Sequence, residues 1–302
     1  MESTAVIILA AGKGTRMGQE APKVLTETAE KPLICHVLDY SSKLEPEQIV
    51  VVTGYRREEV EATVKDYQCE TAPARISFAV QEQQNGTGDA VRAALPALKD
   101  FNGTVVILYG DVPLIQEGTL SDLLKHHEQS SATVTLISLK GDVSNAYGRL
   151  IRDESGELEK ITELKDCTVA EKYIDETNSG IYAVDSAFLE PAIESLTNDN
   201  AQGEYYLTDI IEKAVAEGQT VSTIAVYDPD EVQGVNTQAD LLRVNETLRG
   251  RRIETLLQSG VILEDSGSLY IDASVQVDPG ARIGPNVILK GSTTIASGVH
   301  IE

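Results

Sequence analysis

The sequence predicts an α/β protein: a Rossmann-like, mostly parallel mixed sheet, then a connector helix, then the start of a left-handed β-helix. Three observations carry that expectation. Short β-branched runs alternate with stretches that are apolar at helical spacing. A long amphipathic pattern follows from Thr237, and beyond it apolar residues recur at every sixth position.

The β-branched runs cover residues 5–9, 49–53, 75–80, 104–109, 133–139 and 221–226. Between the early ones, Val37, Leu38 and Tyr40, then Val60, Val64 and Tyr67, then Val91, Ala94, Leu95 and Leu98 return at helical intervals. Continuous apolar strands separated by amphipathic helices predict a parallel sheet covered on both faces. Such sheets bind ligands beyond the carboxyl ends of their strands.

After Thr237, Leu241, Leu242, Val244, Leu248, Ile253, Leu256 and Leu257 describe one amphipathic helix, with Gly250 a point of weakness within it. Ile271, Val277, Ile283, Leu289, Ile295 and Ile301 then keep a strict spacing of six, with Val275, Ala281, Val287, Thr293 and Val299 as a second row. That period is the signature of a hexapeptide β-helix. The expected organisation is a first domain over residues 1–238, a connector over 239–259 and an incomplete β-helix over 260–302. So few coils predict either completion by partner chains, for example in a homotrimer, or a chain that is cut short.

Composition narrows the function. With 25 basic and 48 acidic residues the formal charge is −23. Duplex binding needs clustered Lys and Arg, so neither nucleic acid nor an anionic membrane is an expected partner. Cys35, Cys69 and Cys167 match neither a disulfide framework nor paired zinc-ligand spacing, which suits a reducing, cytoplasmic setting. The apolar run at residues 5–11 has no basic residues before it and is too short to span a bilayer.

The first strand runs into Ala10-Ala11-Gly12-Lys13-Gly14-Thr15-Arg16-Met17-Gly18, with Pro22-Lys23 after it. Small residues and glycines let the backbone approach phosphate oxygens. The spacing is not that of a Walker A loop. The last glycine is displaced from the dinucleotide fingerprint, and no acidic residue follows the second strand where a ribose would need one. A nicotinamide cofactor is therefore disfavoured. Lys13, Arg16 and Lys23 form a basic island in an acidic chain, as an anionic ligand requires.

This loop, followed by Pro22-Lys23-Val24-Leu25, resembles the signature of sugar-nucleotide pyrophosphorylases, and among them the uridylyltransferases acting on N-acetylglucosamine 1-phosphate. The resemblance extends over residues 5 to 302. It includes Gln81-Glu82-Gln83-Gln84-Asn85-Gly86-Thr87-Gly88, Leu108-Tyr109-Gly110-Asp111-Val112-Pro113-Leu114, Tyr147-Gly148-Arg149, Asn178-Ser179-Gly180-Ile181, the segment Gly203-Glu204-Tyr205-Tyr206-Leu207-Thr208-Asp209, and Gly234-Val235-Asn236. Ser179 stands where that family usually has Thr.

The resemblance implies Mg²⁺-dependent transfer of UMP from UTP to N-acetylglucosamine 1-phosphate, serving peptidoglycan synthesis. It makes Asp111 and Asn236 the Mg²⁺ ligands and Arg16 and Lys23 the charge-stabilising catalytic pair. Lys13 joins them on the triphosphate. Leu9, Ala10, Ala11, Gly12, Gln81, Gly86 and Thr87 would select uridine, with Tyr109 and Gly110 beside them. Gly148, Glu163 and Asn178 would contact the sugar, and Tyr205, Tyr206 and Thr208 would wall it in.

Structural readings stand beside these. Asp111 could cap the turn before Pro113, Asn236 could cap the connector helix, and Thr87 could cap the helix it opens. Glu163 could lie on a solvated strand edge, and Tyr205–Tyr206 could be a core pair. The four histidines read as structural. Acetyl transfer, the family's second activity, is not assigned to this sequence. A related transferase with another sugar or nucleotide, or a nucleotide-binding assembly protein, is the alternative.

Overall fold

The computed structural model describes residues 3–18, 20–67, 75–141 and 146–302; Cys69 lies outside them. The chain packs as two compact units, Met1–Thr26 with Leu33–Asn236, and Glu27–Pro32 with Thr237–Glu302.

The first unit is built on a nine-stranded sheet. Its main path runs Val221–Val226, Val134–Lys140, Glu176–Asp185, Thr104–Tyr109, Thr4–Leu9, Gln48–Thr53, Arg75–Val80. Thr4–Leu9 pairs in parallel with Gln48–Thr53 on one side and Thr104–Tyr109 on the other. The chain thus winds outward in both directions from its first strand, leaving a crevice beyond the carboxyl ends at that reversal. Burial explains the composition of these strands. Ala5, Ile7 and Leu9 join the core on one face, while Val6, Ile8 and Ala10 join the core on the other. Both faces are dry, so no polar alternation is visible.

Helices Leu33–Ser42, Arg57–Asp66 and Glu117–Ser130 supply the second of these cores through residues such as Val37, Val60 and Leu120. Thr87–Ala94, Ser186–Glu194 and Asp209–Ala216 supply the first through Val91, Leu189 and Ile210. The predicted helix through Leu98 ends its α-helical part at Ala94 and continues as a 3₁₀ turn, Leu95–Leu98, where Pro96 cannot donate its backbone hydrogen bond.

The sequence reading missed Glu176–Asp185, although it is a ten-residue strand inside the sheet. It runs antiparallel to both neighbours, and its register shifts between Asn178 and Tyr182. Arg149–Arg152 and Leu158–Thr162 form a hairpin attached to it.

In the second unit, Gln238–Gln258 is one uninterrupted helix that passes through Gly250. Thr237 and Asp240 close it with a capping box, each side chain bonding the other's backbone N–H. Of the apolar residues expected to face a core, Val244, Ile253 and Leu256 do so, whereas Leu242 and Leu257 are exposed. The two-residue strands that follow stack in parallel: Tyr270–Ile271 on Ile288–Leu289, Gln276–Val277 on Thr294–Ile295, Arg282–Ile283 on His300–Ile301. Each pairing spans three hexads, and Ile271, Val275, Ala281, Ile283, Val287, Leu289 and Ile295 fill the interior. A short hairpin, Glu27–Thr28 with Lys31–Pro32, belongs to this unit; Thr28 and the Ala29 N–H bond the Asn245 carboxamide oxygen. Among the described residues no helix is long and apolar enough to cross a membrane.

Candidate active site

Four strand ends meet in the crevice. Backbone bonds carry the parallel register past them: Ala10 N–H to Val52, Tyr55 N–H to Ala11, Gln81 N–H to Thr53 and Gly110 N–H to Leu9. Residues just after each strand therefore face one another, however far apart they lie in sequence.

Asp111 follows Thr104–Tyr109. Its carbonyl accepts from Val235 N–H at 2.9 Å, and the carbonyl of the next residue, Val112, accepts from the buried Tyr40 hydroxyl at 2.5 Å. The Val235 bond brings Asn236 alongside Asp111. A further tie comes from Glu231, a buried carboxylate that accepts from Gln116 N–H at 3.1 Å and from the Thr119 hydroxyl. It fastens the turn before Gly234 to the start of the helix after Asp111.

The Asp111 carboxylate bonds the Lys23 ammonium, and so does Asn236 Oδ1 at 3.0 Å. Arg16 Nη2 also donates to Asn236 Oδ1, at 2.9 Å. Lys23 reaches this point by passing over Gly14, where a Cβ would lie 2.4 Å from Lys23 Cβ and the backbone has φ +66°. Only glycine fits there without displacing the lysine. The connector helix is capped by Thr237, not by Asn236, and the Asp111 carboxylate is engaged by Lys23. Lys13 parts from the other cations, its ammonium lying 5.3 Å from the centre of the Tyr55 ring.

Two cavities open on either side of this charged junction, and Lys23, Thr87, Tyr109 and Asp111 line both. The first, about 270 Å³, is walled by Leu9, Ala10, Ala11, Gly12, Val24, Gln81, Gln84, Gly86, Ala90 and Glu204. The second, about 340 Å³, is walled by Tyr147, Gly148, Glu163, Asn178, Tyr182, Thr208, Gly234 and Asn236, among others. Gly110 lies beneath the floor, where a Cβ would meet Val24 and Ala10 at 3.2 and 3.3 Å.

Thr87 does not cap its helix through its side chain; its Oγ1 accepts from Leu207 N–H at 3.1 Å and stitches two walls together. Gln81 is buried, and its carboxamide nitrogen donates to Gly86 O at 3.0 Å and to Asp89 Oδ2 at 2.9 Å. Both donors are used within the protein, so what Gln81 can offer a ligand is its carboxamide oxygen.

The second cavity depends on the irregular strand. Gly180 has φ +84°, and a Cβ there would lie 2.6 Å from the Tyr109 ring. This close approach breaks the pairing and leaves Asn178 at the cavity wall, its backbone N–H on Gly148 O and its Oδ1 accepting from Gly180 N–H. Glu163 is no solvated edge residue. Burial pushes its carboxyl above the usual range, aided by Asp209, Asp166 and Glu204, although Thr208 donates to it at 3.3 Å. The aromatic lining is Tyr109, Tyr147 and Tyr182 rather than the expected Tyr205 and Tyr206. Tyr205 lies under the Arg92 guanidinium, and the Tyr206 hydroxyl bonds Asp166 and Gln202. Sequence reasoning missed Tyr182 and Asp89; only the antiparallel strand and the first helical turn bring them to the site.

Comparisons with known proteins place the chain in a family. The nucleotidyl transferase family model matches residues 5–232. A bifunctional GlmU protein of Geotalea uraniireducens is 42% identical over the whole chain, and so is one of Pelobacter propionicus; one of Corynebacterium aurimucosum is 39% identical over 98% of it. The chain spans 65%, 64% and 61% of those proteins' lengths. A Bacillus anthracis protein assigned as a glucose-1-phosphate thymidylyltransferase, solved with sucrose, is 18% identical and superposes with a TM-score of 0.64 over 81% of this chain and 95% of that one, a likeness of fold. The chain belongs to the nucleotidyl transferase family.

Proposed function

We propose that this chain transfers the UMP group of UTP to N-acetylglucosamine 1-phosphate, releasing pyrophosphate. One observation carries the reading: a cavity with backbone and carboxamide edges and a cavity with polar side chains share a wall made of Lys23, Thr87, Tyr109 and Asp111. A nucleotide base suits the first, a sugar bearing hydroxyl and acetamido groups suits the second, and phosphates belong at the cations between them. The similarity to GlmU proteins supports sugar-phosphate nucleotidyl transfer, and the resemblance of the sequence motifs to uridylyltransferases favours this sugar and this base.

The chemistry needs no protein nucleophile. A phosphate oxygen of the sugar phosphate attacks the α-phosphorus of UTP in line, forming one P–O bond as the bond to the leaving pyrophosphate breaks. Catalysis is then positioning plus charge stabilisation. Arg16 and Lys23 offset the negative charge on the phosphoryl oxygens. Glu163, Asn178 and Gly148 hold the sugar so that its phosphate reaches the junction. Asp111 and Asn236 present a carboxylate and a carboxamide oxygen that already converge on one cation, the Lys23 ammonium. This hard donor pair suits Mg²⁺, which usually takes few protein ligands and substrate oxygens for the rest. When bound there it supplies Lewis-acid polarisation and charge neutralisation.

The test is pyrophosphate release from UTP plus N-acetylglucosamine 1-phosphate. Asp111→Ala is expected to abolish it, and Arg16→Ala to slow turnover by about 10²–10³-fold, the loss typical of one charge-stabilising donor. Unchanged turnover in either variant contradicts the assignment.

A further inference from the structure

We propose that Asp89 sets the base preference of the first cavity: by holding the Gln81 carboxamide in one orientation, it turns an acceptor oxygen toward the ligand and selects pyrimidines with a ring N–H, uracil or thymine, over cytosine. The inference rests on the first cavity being the base site.

The argument starts from what Gln81 touches. Its carboxamide nitrogen lies 3.0 Å from Gly86 O and 2.9 Å from Asp89 Oδ2. A peptide carbonyl and a carboxylate can only accept, and in a carboxamide only the nitrogen can donate. The orientation is therefore dictated by the two partners. Turning the group over would set its oxygen against two other oxygens in a site where Gln81 is only 4% exposed. Both N–H bonds are consumed, so the polar atom Gln81 offers to the cavity it lines is its oxygen.

Asp89 is well placed to enforce this. It lies in the first turn of Thr87–Ala94, where the helix dipole favours a negative charge. Its other oxygen is 3.6 Å from Arg92 Nη1. Arg92 is itself fixed by a bond to Ile193 O at 2.9 Å and by the Tyr205 ring 4.6 Å away. A carboxylate so held cannot offer a hydrogen to the Gln81 oxygen, whereas a neutral amide could. Gly86 O alone is a single anchor.

The consequence is chemical selection. N3 of uracil or thymine carries a hydrogen and donates to the Gln81 oxygen. N3 of cytosine is an acceptor and would face that oxygen unpaired, a mismatch that a buried site penalises. Sites that pair a substrate N–H discriminate through this kind of penalty.

The experiment measures kcat/KM for UTP and CTP with a fixed sugar phosphate in the wild type, Asp89→Ala and the near-isosteric Asp89→Asn. The UTP:CTP ratio should fall about tenfold in Asp89→Ala, the scale of one hydrogen-bond mismatch. It should fall less in Asp89→Asn, whose carboxamide can still accept from Gln81, and the KM for the sugar phosphate should stay constant in both. An equal loss for UTP and CTP, leaving the ratio intact, overturns the role of Asp89 while sparing the base site. A wild type that uses UTP and CTP equally overturns the selection itself. Absence of turnover with every nucleoside triphosphate strikes instead at the proposed activity.

Discussion

The two cavities share four wall residues but are made in different ways. The first is assembled from segments that directly follow parallel strands: residues 9–12 after Thr4–Leu9, and Gln81 with Gly86 after Arg75–Val80. Its lining includes the small residues Ala10, Ala11, Gly12, Gly86 and Ala90. The second is assembled from an antiparallel strand with a register shift and a hairpin hung on its edge, and its walls are Glu163, Asn178, Tyr109, Tyr182 and Thr208. A flat base can be read by edges and close backbone approach, whereas a sugar with many hydroxyls calls for side chains that reach into the pocket. The difference predicts separable kinetics.

The largest effects expected on either side come from a crossed pair of substitutions. Gln81→Ala should raise the KM for UTP by about 10–100-fold with little change for the sugar phosphate, and Glu163→Ala should do the reverse, since each removes a hydrogen-bonding group from a buried site. Steady-state kinetics with each substrate varied in turn checks this. If both variants raise both constants equally, the separation of the cavities is lost.

A smaller effect concerns stability on the second side, which is rich in carboxylates. Asp209 opens a helix beside Glu163, and burial, followed by Glu212 and Asp166, pushes its carboxyl up to about 6. The raised value means that folding favours the protonated acid. Its contribution to stability is complete below about pH 4 and is lost as the pH rises through 6. Asp209→Asn should therefore raise Tm at pH 7.5 and leave it unchanged near pH 4. Scanning calorimetry at the two pH values decides the point, and an equal rise at both contradicts it.

The same contrast explains what was legible in the sequence. The parallel strands read plainly because burial on both faces gives unbroken β-branched runs, and the loop after the first of them reads as a phosphate approach. The hexad rows read plainly because a three-hexad coil repeats its inward positions. Glu176–Asp185 did not, because Glu176, Thr177, Asn178 and Ser179 look like a loop. Its polar half is buried by partners from elsewhere: Arg152 and Ser138 hold Glu176, and Ser179 donates to Ile137 O. Glu163 could be read as solvated for a similar reason, since Thr208, Asp209 and Glu204 lie more than forty positions away and only Asp166 is near it in sequence. Asp89 was invisible because a first-turn acid is common in helices; only its contact with Gln81 gives it meaning.

The most direct test of this two-cavity account is a crystal structure with UDP-N-acetylglucosamine. The account predicts uracil against Gln81 and Gly86, the acetamido sugar against Glu163 and Asn178, and the diphosphate at Lys23 and Asp111. A nucleotide sugar bound in the opposite sense, or outside both cavities, would contradict it.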